Sequence, residues 1–267
     1  MNQEERRTFL LQRLLQESPE YRGMDIPGDA ESRRQLLRGL MNIRPPQEID
    51  ENFLKVQDEY LQAETAAKGI TDIAQLVPVQ PGLYLWQGDI TTLRCDAIVN
   101  AANSGMTGCY VPNHNCIDNV IHTFAGVELR LACAALMKRQ GTPEPTGHAK
   151  ITPAFNLPCR YILHTVGPIV SGQVTKQQEA QLASCYRACL ELAAQNGLES
   201  VAFCCISTGV FCFPNDLAAE IAVRTVKRFM KEQTTVRKVI FNVFKDTDKR
   251  IYERLLAADR TAEGSPA

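Results

Sequence analysis

Apolar residues recur every three to four positions through the first quarter of the chain, then give way to short continuous apolar runs. Phe9, Leu10, Leu14 and Leu15 fall at helical spacing, and so do Leu36, Leu37, Leu40 and Met41. A third helical stretch is expected from about Ile49 to Ala67, with Phe53, Val56, Tyr60 and Leu61 on one side. Pro27-Gly28 and Pro45-Pro46 punctuate these segments. Residues 1–78 therefore read as a small helical extension. It could pack on the main domain or cover part of its cleft, and it shows no chemistry of its own.

From Gly82 onward the period changes. Strands are expected at Leu83 to Gln87, Asp96 to Asn100, Tyr161 to Val166, Val201 to Ile206 and Val239 to Phe244. Helices are expected at Val120 to Lys138, Lys176 to Asn196, Asp216 to Lys231 and Asp248 to Leu256. In the first of these Ile121, Phe124, Val127 and Leu131 face inward. Such alternation predicts an α/β fold over residues 79–260, with helices covering a mostly parallel sheet. In such folds ligands bind outside the carboxyl ends of the strands. The loops Gly88-Asp89-Ile90, Asn100 to Asp118 and Ser207 to Pro214 all follow strand ends, which predicts a binding crevice.

Composition narrows the class. Of 267 residues 45% are hydrophobic and 22% charged, and the formal net charge is -1. These are ordinary values for a globular protein, and nothing in them favours nucleic acid or a membrane surface as partner. No apolar run approaches the roughly 20 residues that span a bilayer. The charged N-terminus lacks a signal-peptide apolar core. A cytoplasmic location is expected, where the ten cysteines stay reduced. Cys204-Cys205 reads as buried strand.

The chemistry concentrates in Gly108 to Asp118, where Cys109, His114 and Cys116 place two thiols and an imidazole within eight positions. Zinc favours such donors, and three protein ligands leave a fourth position for water or substrate. A closed structural site would want a fourth ligand. None lies within a dozen positions upstream, and His122 falls inside a predicted helix. The alternative is that these are ordinary buried cysteines. Gly, Pro and Asn make the segment a loop, and loops on rigid scaffolds carry ligands.

Other candidates admit two readings each. Ser207-Thr208-Gly209-Val210-Phe211-Cys212-Phe213-Pro214 is either an ordinary strand-to-helix turn or an anion cradle of backbone N–H groups at a helix N-terminus. Asp89 either caps the next turn or accepts a hydrogen bond from an adenine amino group. Asp118 either caps a helix or, beside a metal, positions a water or a sugar hydroxyl. Asn103 suits a ribose hydroxyl or a turn. His122, His148 and His164 read as structural histidines.

Taken together, Gly88-Asp89-Ile90, Asn100-Ala101-Ala102-Asn103-Ser104, Tyr161 to Pro168 and Ser207 to Phe211 resemble the macrodomain family over about Gly82 to Leu256. The resemblance implies a three-layer α/β/α fold that binds ADP-ribose, often as a hydrolase. Many macrodomain hydrolases carry a glycine run where this chain has Gly108 to Cys116. The C-x4-H-x-C insertion, Ile117-Asp118-Asn119 and the helical extension are similar to a zinc-dependent bacterial and fungal branch. Its bacterial members are linked to a sirtuin-type ADP-ribosyltransferase and a lipoylated carrier related to glycine-cleavage protein H.

By that resemblance Asp89 and Ile90 bind adenine, and Asn103 contacts the distal ribose. Cys109, His114 and Cys116 hold Zn2+, while Cys116, Ile117, Asp118 and Asn119 line that end of the cleft. Ser207, Thr208, Gly209, Val210 and Phe211 wrap the pyrophosphate and ribose. Cys212 has no account beyond packing. The implied reaction is zinc-dependent removal of mono-ADP-ribose from an acidic side chain of a modified protein, with Asp118 and Asn103 at the reacting end. A non-catalytic ADP-ribose reader and an O-acetyl-ADP-ribose deacetylase are the rivals.

Overall fold

The structure is a computed structural model that describes residues 1–262. Helices α1 (Gln3–Glu17), α2 (Ala30–Ile43) and α3 (Glu51–Lys68) open the chain. Each begins at a polar cap: Asn2, Asp29 and Asp50 accept hydrogen bonds from the third helical N–H, satisfying donors a helix start leaves free. Leu10, Leu11, Leu37, Phe53 and Leu61 close a small apolar cluster between them.

A two-stranded parallel ladder follows, β1 (Thr71–Asp72) on β3 (Leu93–Arg94). The main sheet contains β2 (Leu83–Gln87), β4 (Ala97–Ala102), β5 (Ala149–Pro153), β6 (Tyr161–Val166), β7 (Ser200–Phe203) and β8 (Lys238–Val243), in the order β2-β8-β7-β4-β6-β5. All neighbours run parallel except β5, which pairs antiparallel with β6. Helices α4 (Ile117–Ala125) and α5 (Val127–Gln140) cover one face. Helices α6 (Lys176–Gln195), α7 (Asn215–Met230) and α8 (Asp246–Ala262) cover the other. Burial on both faces explains the near-continuous apolar runs of β4, β6 and β8. The mixed, mostly parallel sheet agrees with the α/β expectation, and its parallel strands bring the three candidate loops to one edge.

Three local expectations are corrected. The single helix expected over Val120 to Lys138 is two helices that meet at 112°. Gly126 makes the break at φ 97, and a Cβ there would stand 2.7 Å from Gln57 Nε2. The buried Gln57 accepts the Val127 N–H at 2.9 Å, so α3 starts α5. The strand expected to reach Ile206 ends at Phe203, the last residue paired with β8. Strand β5 was not expected, because Ala149-Lys150-Ile151-Thr152-Pro153 is half polar. Lys and Pro suit it to a sheet edge. Among the described residues no single helix is long and apolar enough to cross a membrane.

Candidate metal centre and ligand cleft

Strand β4 and helix α4 frame the candidate centre. After Ala102 the chain runs without helix or strand until Cys116 caps α4, its Sγ accepting the Asn119 N–H at 3.4 Å. Cys116, not Asp118, is therefore the cap. The donor atoms of Cys109, His114 and Cys116 all lie within 4.8 Å of one another. Cys109 Sγ is 3.6 Å from His114 Nδ1. All three residues are half-buried. Burial, with Cys109 and Asp118 adding to it, pushes the Cys116 thiol up to about 11. Two soft sulfur donors and an imidazole held this closely fit a zinc ion, whose charge would offset the crowding of two thiolates.

Asp118 turns inward from the first turn of α4. Its Oδ1 accepts from Asn100 Nδ2 at 2.8 Å and its Oδ2 from Asn103 Nδ2 at 3.2 Å. Burial pushes this carboxyl up to about 6, against the pull of Asn100, Arg130 and Asn103. Asn103 also donates to the Gly108 carbonyl at 3.1 Å, and its Oδ1 takes the Gly105 N–H at 2.9 Å. Asn103 thus bridges the strand end and the metal loop. The fully buried Asn119 stitches that loop, donating to the carbonyls of Val111 at 2.9 Å and Cys109 at 3.3 Å. Ile117 is half-buried beside it.

A second donor group, His122, Cys133 and His164, is wholly buried behind the first. His164 is already engaged by Asn100 at 3.1 Å and Thr152 at 2.9 Å. Burial draws it down to about 3, and it holds His122 well below its usual range too. His122 Nε2 stands 3.6 Å from Asp118 Oδ1, beyond hydrogen-bond reach, and the neutral ring forms no ion pair. We assign this group to the core.

At the far end of the same edge, Asp89 follows β2. Its Oδ1 accepts from Thr91 N at 3.0 Å and Thr91 Oγ1 at 2.6 Å, and its Oδ2 faces Lys68 Nζ at 2.9 Å. Asp89 fits both readings: one oxygen caps the turn, the other faces the Lys68 ammonium. Ile90 is buried under it. Between the two ends lies the loop after β7. Ser207 is buried at φ 65, a conformation that favours glycine, and its Oγ approaches within 2.0 Å of where a Gly167 Cβ would stand. Glycine at 167 lets the two loops touch. Among the described residues none accepts a hydrogen bond from the amides of Gly209, Val210 or Phe211. Thr208 folds its hydroxyl onto the Cys205 carbonyl at 3.0 Å. Cys212 is exposed, so packing does not account for it.

The comparisons with known proteins fit this geometry. A family model described as Macro domain matches residues 99–222. The chain is 57% identical over 261 residues to a protein from Treponema medium named protein-ADP-ribose hydrolase, covering 96% of this chain and 100% of the relative. The chain belongs to the macrodomain family. A Staphylococcus aureus (strain MSSA476) protein of the same name is 50% identical over 240 residues, 89% of each chain. The Trypanosoma brucei macrodomain in complex with ADP-ribose superposes with a TM-score of 0.64 at 29% identity, covering 82% of this chain and 94% of that one.

This macrodomain also uses residues that sequence reading passed over. Arg38 on α2 donates to the His114 carbonyl at 2.7 Å and to Asn119 Oδ1 at 3.0 Å. Arg130 on α5 donates to the Asn42 and Arg44 carbonyls at 2.6 and 2.5 Å and lies 4.2 Å from the Tyr110 ring centroid. Both contacts join segments some 80 positions apart, and no local pattern marks them. Lys68 sits 3.2 Å from the Phe124 ring centroid. Phe244, just past β8, is 76% exposed beside the Asp89 loop, and an exposed aromatic at a strand end was a readable signal.

Proposed function

We propose that this macrodomain is a zinc-dependent protein-ADP-ribose hydrolase that removes mono-ADP-ribose from acidic side chains of a target protein. Family membership and the name carried by its relatives support a hydrolase acting on this class of substrate. The observation that carries the zinc reading is the start of α4. Cys116 gives a metal donor there, and Asp118, two residues on, ties the same turn to Asn103. The candidate metal donor and the amide that would meet the sugar are thereby tied to the same helix turn.

Asp89 accepts the adenine amino group, Ile90 lies beneath it, and the exposed Phe244 ring stacks on the base. The amides of Ser207, Thr208, Gly209, Val210 and Phe211 surround the pyrophosphate ahead of the α7 N-terminus. Asn103 holds the distal ribose, and Asp118 fixes Asn103. Cys109, His114 and Cys116 would hold zinc, with Ile117 and Asn119 closing that end. A zinc ion bound there would supply Lewis acidity toward a substrate oxygen. Binding along the whole cleft holds the ribosyl ester at that end. One water adds across the ester, releasing the carboxylic acid and ADP-ribose.

In this account residues 1–78 form a supporting extension and residues 79–260 the catalytic unit. The candidate target is a lipoylated carrier related to glycine-cleavage protein H, in a cytoplasm that keeps the ligand thiols reduced. Rates on an ADP-ribosylated carrier protein and on O-acetyl-ADP-ribose test the reading. Faster release from the protein supports it. A preference for the small ester would make the protein a deacetylase, and tight ADP-ribose binding with no release from either would make it a reader.

A further inference from the structure

We propose that Arg38 of the N-terminal extension is a positioning residue for the metal centre, a strut without which the three donors do not hold their arrangement. The proposal rests on the zinc reading of Cys109, His114 and Cys116.

The loop that carries the donors has little structure of its own. Between Asn103 and Cys116 it contains no helix or strand, and Asn113 lies in the left-handed region at φ 55. Its form is imposed from outside: Arg38 contacts one donor residue directly and the other two only through Asn119. One guanidinium nitrogen bonds the His114 carbonyl at 2.7 Å and Asn119 Oδ1 at 3.0 Å. The Asn119 side-chain amide then holds the Cys109 carbonyl at 3.3 Å, and the Asn119 backbone N–H meets Cys116 Sγ at 3.4 Å.

The rest of α2 reinforces the contact. Asn42, one turn on, accepts the Asn113 N–H at 2.9 Å and donates to Thr123 Oγ1 at 2.9 Å. Gly39 lies between them. A Cβ at that position would stand 3.4 Å from Asn113 Nδ2 and 3.7 Å from Pro112 Cβ, so the loop rests against the helix backbone.

The chemistry of Arg38 argues against a role in stability alone. Its Nε is buried with no hydrogen-bond partner, and among the described residues no carboxylate pairs with it. Neighbouring Arg33 and Arg44 each meet a glutamate. This half-buried guanidinium spends its bonds on the metal-loop backbone and on Asn119, not on a carboxylate. Outer contacts that orient metal ligands commonly cost roughly 10–100-fold in metal affinity when removed.

The test compares the full-length wild type with Arg38→Ala and Arg38→Lys. Zinc affinity is read by competition with a chromophoric chelator, and the metal site by the visible spectrum of the cobalt-substituted protein. Amide exchange is followed in residues 109–116 of the metal-free protein. We expect Arg38→Ala to bind zinc roughly 10–100-fold more weakly and to exchange faster in that loop, with α1 and α3 as protected as before. Arg38→Lys, which keeps the charge but not the planar fork, should fall between. Equal affinity and equal loop exchange in wild type and Arg38→Ala would overturn the proposal alone. Loss of protection throughout α1, α2 and α3 would reduce Arg38 to a fold residue and overturn it too. Wild-type protein that takes up neither metal would overturn the zinc reading itself, and the proposal with it.

Discussion

Asn103 Nδ2 and Asp118 Oδ2 meet at 3.2 Å, joining the end of the central strand to the first turn of the helix that Cys116 caps. Asn100 completes the link by donating to the other carboxylate oxygen at 2.8 Å. Asp118→Ala removes one acceptor from the buried Asn100 amide and one from the half-buried Asn103 amide. Each unsatisfied buried group costs about 1–3 kcal/mol. We expect a loss of stability of that order in urea unfolding, together with a fall in ADP-ribose release. Asp118→Asn keeps the shape but has only one acceptor oxygen, so its stability should lie between. Wild-type stability in the alanine variant would show that the network carries no energy.

Gly126 separates α4 from α5. A side chain there is strained at φ 97 and meets Gln57. Gly126→Ala should lower stability by more than about 1 kcal/mol, because the native conformation excludes the new residue. Thermal unfolding of the two proteins decides it, and an unchanged midpoint would contradict the role given to this glycine.

The break at Gly126 also shows where sequence reading stopped. Ile121, Phe124, Val127 and Leu131 continue a helical period straight across it, and only the positive φ and the docking of Gln57 reveal the turn. Strands β4, β6, β7 and β8 were legible because burial on both faces writes continuous apolar runs. Strand β5 was not, because an edge strand needs no such run. Cys109, His114 and Cys116 were legible by donor type and spacing. The inward turn of Asp118 was not, since capping and burial leave the same letter at a helix start. Arg38 and Arg130 act across contacts some 80 positions apart, beyond any local pattern.

Lys68 and Asp89 tie the extension to the opposite end of the cleft. Burial alone would raise the Asp89 carboxyl, but its bonds to Thr91 and Lys68 outweigh burial and hold it below the ordinary value. A depressed carboxyl stabilises the fold above its unfolded pKa of about 3.9, and that contribution fades as pH falls through the lower folded value. The gap in unfolding free energy between wild type and Lys68→Met should therefore be full above about pH 5 and shrink below about pH 4. A gap that stays constant across that range would exclude the ion pair as its source.

Replacing one donor of the metal centre should separate metal from fold. Cys116→Ser keeps a capping oxygen for α4 but removes a soft ligand. We expect sub-stoichiometric zinc, little release of ADP-ribose, and secondary structure by circular dichroism close to wild type. Full zinc content in this variant would place the metal elsewhere.

The central claim, that zinc held by Cys109, His114 and Cys116 is needed for hydrolysis, is met most directly by one assay. ADP-ribose release from a carrier protein modified by a sirtuin-type transferase is measured with zinc-loaded enzyme, with chelator-stripped enzyme, and with stripped enzyme given zinc back. The account predicts release with zinc, none after stripping, and recovery on re-addition. Equal release from loaded and stripped enzyme would contradict it and leave Asn103 and Asp118 to carry the reaction without metal.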